Sequence, residues 1–346
     1  MARRLDILVP IYDEGEIVIK PLLDSIAIQQ QVDLSQVGVI VCCDGGSTVL
    51  TDEFMAQYPF HIEFHMCEHQ GVSATRNTCL DYSKAEYVCW CDCDDMYCDV
   101  CAFFLLFHEM DAETSPDDMM RFKLGKPEKG FDMLISNFRE QTKGPDGSFT
   151  FIDHNTQPDG TFVHGKCFRR QWLIDNDLKF CPSCEIHEDS YMILLCREVA
   201  KPWRLKWCPM AFFLWRWRKN SICRRDEKYI LKTFNCLVDS NDQLISQFLR
   251  RSMHAQAASY MAMLTWDAYY TMNKQEWVSQ ENTTYRDNVE KRFAEYFRKY
   301  KSLWDSIPVQ EKMMISQGVR QRSVMEGMLL EALTIDQWID RILAKW

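Results

Sequence analysis

The sequence predicts an α/β fold, a mostly parallel central sheet with helices on both faces, followed by an all-helical C-terminal region. Three observations predict it. Through the first hundred residues, short apolar runs alternate with segments of helical spacing; acidic residues stand just past the ends of those runs; and beyond residue 225 only helical periodicity remains. Strands that alternate with helices imply crossover connections and a sheet covered on both sides. A length of 346 residues suits two structural units, with the boundary expected between 1–225 and 226–346.

The elements follow in order. "LDILVPIY" is a buried-strand run, and "KPLLDSIAIQQQ" carries Leu22, Leu23, Ile26 and Ile28 at helical spacing. "VGVIVCC" is a second strand ending in "DGGST", and "HIEFHM" alternates like a strand. "GVSATRNTCLDYSKA" reads as a helix, "EYVCWC" as another buried strand and "VCAFFLLFHEM" as a helix again. Residues 111–130 are polar, with two prolines and two glycines, and read as a surface connection. "FDMLISNF" is a strand, "KGPDGSFTF" a turn between strands, "HEDSYMILLCREVA" a helix opening with acids, and "MAFFLWRWR" a late strand. The C-terminal helices are "YILKTFNCLVDSNDQLISQFLRRSM", "AASYMAMLTWDAYYTM", "YRDNVEKRFAEYFRKYKSLW" and "TIDQWIDRILAKW", the last opening on a capping box of Thr334 and Gln337.

Composition narrows the function classes. No run of about 18 apolar residues is present, against a membrane span, and the N-terminus lacks the apolar stretch of a secretory signal. Sixteen cysteines, several inside apolar runs, then read as reduced thiols of a cytoplasmic protein. The net charge of −10 is unevenly placed. Residues 216–346 hold 21 basic and 16 acidic residues, which leaves 19 and 34 in 1–215. The N-terminal part is strongly acidic and the C-terminal part mildly basic.

The acidity concentrates in "EYVCWCDCDDMYCD", with four aspartates in the eight residues 92–99. Such a group repels itself unless a cation sits in it. Asp92, Asp94 and Asp95 offer hard oxygen ligands suited to Mg²⁺ or Mn²⁺, which bind through one or two carboxylates plus substrate phosphates. A solvated acidic turn has the same pattern. Cys89, Cys91 and Cys93 share one face of a strand, which fits packing as well as it fits ligation. Cys98–Cys101 and Cys181–Cys184, with His187 nearby, offer a zinc alternative whose spacing matches no compact zinc module.

The motifs "ILVPIYDE", "VIVCCDGGST", "HQGVSATRNTCLDYSKAEYVCWCDCDD" and "HEDSYM", in that order over about residues 5–220, resemble a family-2 glycosyltransferase of the GT-A, Rossmann-like fold. The resemblance implies a nucleotide-diphosphate sugar as donor, with UDP the expected nucleotide, a bound Mn²⁺ or Mg²⁺, and an inverting transfer to a hydroxyl acceptor. It implies donor contacts from Pro10, Tyr12, Asp13, Asp44, Arg76, Asp92, Lys166, Arg216 and Arg218. It implies metal ligation by Asp92, Asp94 and Asp95, and a catalytic role for Glu188–Asp189, with Asp189 as base. His164 and His187 are weak acceptor contacts on the same grounds. Gly45 and Val49 depart from the family's D-D-G-S-T-D pattern.

Residues 226–346 lie outside the resemblance. Their aromatics at helical spacing fit a core. The region reads as a cap that builds an acceptor pocket, as a homodimer interface, or as a basic surface for a polyanion. The acceptor is then a glycan or a hydroxymethylated DNA base. Two other function classes stand beside the transferase. One is a catalytically inactive nucleotide-sugar-binding protein, motivated by Gly45 and Val49. The other is a nucleotidyltransferase, disfavoured because no basic glycine-rich phosphate loop follows the first strand.

Overall fold

The computed structural model describes residues 3–154, 161–219, 229–273, 283–325 and 334–346. The chain divides into two compact units, Met1–Lys219 and Asn220–Trp346. The boundary expected at 225/226 lies outside the described residues.

The first unit runs β1 (Leu5–Ile11), α1 (Glu16–Ala27), β2 (Val37–Asp44), α2 (Asp52–Met55), β3 (His61–Cys67), α3 (Val72–Tyr82), β4 (Tyr87–Trp90), β5 (Met96–Tyr97), α4 (Ala102–Asp111), α5 (Pro116–Arg121), β6 (Met133–Lys143), β7 (Phe149–His154), β8 (Lys166–Arg169), α6 (Arg170–Asp175), α7 (Glu188–Val199) and β9 (Leu205–Trp215). Apolar residues on both faces bury β1, β2 and β4, while β3, at the edge, is partly exposed along its whole length. The connection at 111–130 holds the short helix α5, capped by Ser115, whose hydroxyl accepts the Asp118 amide, with Pro116 at its first position.

The strand order is β3-β2-β1-β4-β8-β6-β9-β5, with β7 hairpinned onto β6. The half built from residues 5–90 is parallel. The other half is mixed: β8 runs antiparallel to both β4 and β6, β9 parallel to β6, and β5 antiparallel to β9. These pairings set the site. Val88 pairs with Phe168 and Tyr87 with Arg169, and continuing that register past the strand ends brings His164 opposite Asp92. Met96 pairs with Leu214 and Tyr97 with Phe213, so Asp95 and Asp94 face Trp215 and Arg216. Cys89, Cys91 and Cys93 belong to the core beneath the acids, which favours packing over ligation.

The second unit consists of α8 (Tyr229–Arg250), α9 (His254–Met272), α10 (Thr283–Ser306), α11 (Val309–Met325) and α12 (Ile335–Lys345). Phe293, Tyr296, Phe297, Tyr300 and Trp304 are all buried, so these aromatics are core. Arg292 pairs with Asp239 and Asp242, Lys299 with Asp242 and Lys301 with Asp305. These three cations are paired within the unit. The capping box of Thr334 and Gln337 is formed. No helix among the described residues is long and apolar enough to cross a membrane.

Candidate active site

The site gathers where β4 ends. Arg76, on α3, is 3 % exposed. Its Nη1 donates to Glu188 Oε1 at 2.8 Å and Asp189 Oδ1 at 2.7 Å, and its Nη2 to Asp92 Oδ1 at 3.0 Å. Its guanidinium lies over the Phe180 ring, 5.1 Å from the centroid. One buried cation thus joins three carboxylates from two distant segments. Burial works against the charge on Arg76, but Asp189, Asp92 and Glu188 more than offset it and raise its pKa.

The carboxylates divide by environment. Burial opposes ionisation of Asp92, yet Arg76 and His164 hold its pKa below the ordinary value. Asp95, 1 % exposed, is pushed well up by burial and by Asp92 and Asp94. Its Oδ1 accepts the Arg216 backbone N–H at 2.8 Å. Glu188 is pushed up to about 7 by burial and by Asp189. Asp189 Oδ2 accepts the Val163 N–H at 3.1 Å. Both Glu188 and Asp189 stand in the first turn of α7, behind His187 at φ 65°. Left-handed backbone at a non-glycine residue is costly, and here it aims the first turn of the helix at Arg76.

Asp92, Asp95 and His164 each offer a ligand atom, all within 4.8 Å of one another. His164 is buried, its Nδ1 has no hydrogen-bond partner among the described residues, and that atom lies 3.9 Å from Asp95 Oδ2. Burial lowers its pKa, which leaves the ring neutral and able to ligate. Two carboxylates and an imidazole fit Mn²⁺ or a similar divalent ion. This set differs from the expected three aspartates in one member. Asp94 points to Arg218, whose Nη1 is 3.0 Å from Asp94 Oδ2 and 3.4 Å from Glu14 Oε1. His164, read from sequence as an acceptor contact, is the third group of the set. Among the described residues no other three His, Cys, Asp or Glu side chains converge in this way, so the two C-x-x-C pairs form no four-ligand zinc centre there.

The remaining residues singled out by sequence lie as follows. Arg216 Nη1 donates to the Asp94 carbonyl at 3.1 Å. Asp44 is turned inward: its Oδ1 accepts Gln70 N–H, its Oδ2 accepts Gly71 N–H, and His69 Nδ1 is 3.0 Å from Oδ2. Asp13 Oδ1 accepts the Ser47 N–H. Tyr12 is exposed, its ring 5.3 Å from His69, and Pro10 lies in β1 opposite Cys42. Lys166 is buried and lines a small internal cavity with Trp90, Tyr97 and Phe213. The glycine at 45 has a backbone reason. Its φ is +80°, and a Cβ there would lie 2.7 Å from the His69 Cβ.

Sequence reasoning missed Glu14, which reaches the cluster through Arg218, and the aromatic rings around His164. Phe213 stacks on that imidazole at 5.0 Å, and Phe162 and Trp215, both half-buried, flank it at 6.0 and 5.8 Å. The period-two spacing of Phe213 and Trp215 along one strand face was the available signal.

The sequence profile described as glycosyl transferase family 2 matches residues 6–171. The N-terminal unit carries a family 2 glycosyltransferase domain. The match takes in the Asp92–Asp95 cluster, Arg76 and His164, whereas Glu188, Asp189, Arg216 and Arg218 lie beyond it. No curated protein sequence matches the chain. Among solved structures, the glycosyltransferase domain and its helical extension resemble TarS of S. aureus. The 1–349 form in complex with UDP-GlcNAc aligns at 14 % identity and TM-score 0.59, covering 99 % of this chain and 91 % of that one. A longer TarS chain aligns at 15 % identity and TM-score 0.60, covering 93 % of this chain and 53 % of that one. This chain therefore spans about half the longer TarS chain. At such identities the likeness establishes the fold.

Proposed function

We propose that the glycosyltransferase domain moves a sugar from a nucleoside-diphosphate sugar, UDP-linked by preference, to a glycan hydroxyl with inversion, and that it requires Mn²⁺ or Mg²⁺. The observation that carries this reading is the Arg76 clamp, which ties Asp92 of the acid cluster to Glu188 and Asp189. It sets a cation-binding group and a base side by side. Asp92, Asp95 and His164 would hold the divalent ion, which when bound neutralises charge on the diphosphate leaving group. Asp189, oriented by Arg76 and by the Val163 amide, takes the proton from the attacking hydroxyl. Each of its oxygens keeps a lone pair for that purpose. Arg216 and Arg218 bracket Asp94 at the same end of the sheet and supply positive charge toward phosphate. Phe162 and Trp215, 5.8 Å apart beside His164, offer aromatic faces to a sugar ring. The internal pairing of Arg292, Lys299 and Lys301 disfavours a nucleic-acid acceptor.

One observation favours a second reading of the base. Glu188, with its pKa near 7, is matched to proton transfer at neutral pH. The two separate cleanly. With Asp189 as base, Asp189→Asn binds donor and loses transfer while Glu188→Gln keeps it; the reverse pattern moves the role to Glu188. Donor hydrolysis that continues unchanged in EDTA refutes the metal requirement. Donor binding without turnover across nucleotide sugars and glycan acceptors, in the presence of Mn²⁺, refutes the transferase reading and leaves a binding protein.

A further inference from the structure

Cys181-Pro182-Ser183-Cys184 closes a turn in which the Cys184 N–H donates to the Cys181 carbonyl at 3.0 Å. Proline is preset for the second position of such a turn. The ends of a β-turn lie within about 7 Å between Cα atoms, and a disulfide needs about 4.4–6.8 Å, so the turn itself supplies the spacing. Cys181 is half-buried and reachable, whereas Cys184 is buried. A hydrogen bond from the Cys184 thiol, followed by the Ser183 hydroxyl and turn amides, pulls the Cys181 pKa below the ordinary thiol range.

The same spacing at Cys98–Cys101 is built otherwise. The Cys98 thiol donates to the Ala211 carbonyl, its pKa is pushed up to about 11 by burial, and the Cys101 N–H goes to Asp99 Oδ1 rather than to the Cys98 carbonyl. That pair is an internal control.

The Cys181–Cys184 turn is fastened to one face of α3. Ser73 Oγ donates to the Cys184 carbonyl, and the Asn77 side chain bonds both the N–H and the carbonyl of Phe180. Between Ser73 and Asn77 on that helix stands Arg76, with Phe180 against its guanidinium. The turn therefore sits in the loop that carries Phe180 at one end and His187–Glu188–Asp189 at the other.

We propose that Cys181 and Cys184 are a modification site, a dithiol that a small disulfide of the glutathione class converts into an intramolecular disulfide. The Cys181 thiolate attacks one sulfur of the oxidant, forming a mixed disulfide and releasing one reduced thiol. Cys184, losing its proton, then attacks the Cys181 sulfur and releases the second thiol. The protein loses two electrons and two protons, and one oxidant disulfide becomes two thiols. The closed bridge stiffens the segment that packs on Arg76.

The test uses the full chain and does not depend on sugar transfer. The protein is equilibrated in glutathione buffers of rising oxidised fraction, the remaining thiols are alkylated, and peptides are mapped by mass. The expected result is joint loss of alkylation at Cys181 and Cys184 with no glutathione retained, reversed by dithiothreitol, while Cys98 and Cys101 still alkylate. Cys184→Ser, or Cys184→Ala should the serine variant fail to fold, accumulates glutathione on Cys181. Amide exchange across 180–189 slows in the oxidised wild type. Alkylation of Cys181 and Cys184 that tracks Cys98 throughout, or a glutathione adduct that persists on wild-type Cys181, overturns the proposal.

Discussion

Replacing Glu188 by glutamine should stabilise this protein at alkaline pH. Glu188 shares the Arg76 Nη1 with Asp189, and burial together with Asp189 raises its pKa from 4.5 to about 7. The attraction of Arg76 does not make up the difference. The sign follows from proton counting. Between those two pH values the folded protein holds a proton that the unfolded chain has lost, so stability falls as pH rises. The group's favourable contribution is complete below pH 4.5 and gone above about 7. At about 1.4 kcal/mol per pH unit, the span amounts to about 3 kcal/mol. Glutamine keeps the shape and the neutral form at every pH. Glu188→Gln should therefore exceed wild type by about 3 kcal/mol at pH 8, and by less than about 1 kcal/mol at pH 5. Urea unfolding at the two pH values, followed by tryptophan fluorescence and circular dichroism to separate the two units, measures this. A variant less stable than wild type at pH 8 would refute the reasoning, because it would make the Arg76–Glu188 pair a net stabiliser.

Three further outcomes are expected. His164→Ala should weaken Mn²⁺ binding, read by the paramagnetic signal of free Mn²⁺, by at least about tenfold, whereas His187→Ala should leave it unchanged; equal affinity in His164→Ala would remove the imidazole from the ligand set. Asp242→Ala strips the shared acceptor from Arg292, Lys299 and Tyr300, and should cost the helical unit about 3 kcal/mol in urea unfolding. Trp338→Ala empties a fully buried site packed on Tyr269 and Phe293 and should cost about 3–5 kcal/mol.

Local signals carried the first hundred residues. Val39, Ile40, Val41 and Cys42 form a short, β-branched-rich apolar run that suits a strand covered on both faces, and the helical spacing of Leu22, Leu23 and Ile26 marks the buried side of α1. Acids placed past such runs converge because parallel strands end on one side of the sheet. The mixed half was not legible, since β8 joins β4 across some 80 residues and nothing local to "KCFR" specifies that partner. The nearness of His164 to the acid cluster was hidden for the same reason. A single histidine has no spacing to read, and only the antiparallel register brings it opposite Asp92. Arg76 was legible as important but not in its partners, because Glu188 and Asp189 lie more than 110 residues away.

The Arg76 clamp makes one more demand. Three carboxylates around one buried guanidinium are tolerable only while its two terminal nitrogens reach Glu188, Asp189 and Asp92 at once. A lysine carries a single ammonium on a flexible stem and cannot span them. Arg76→Lys should therefore cost about 3–5 kcal/mol, the range for stranding buried charge, despite the unchanged formal charge. If the cost comes from carboxylates left facing one another, then neutralising one of them must return part of it. Arg76→Lys combined with Glu188→Gln should be more stable than the two separate changes predict by at least about 1 kcal/mol, the coupling expected of groups in one ionic network. Strict additivity, measured by the same unfolding assay at pH 8, would mean that Arg76 acts through its packing on Phe180 and not through the charges it holds together.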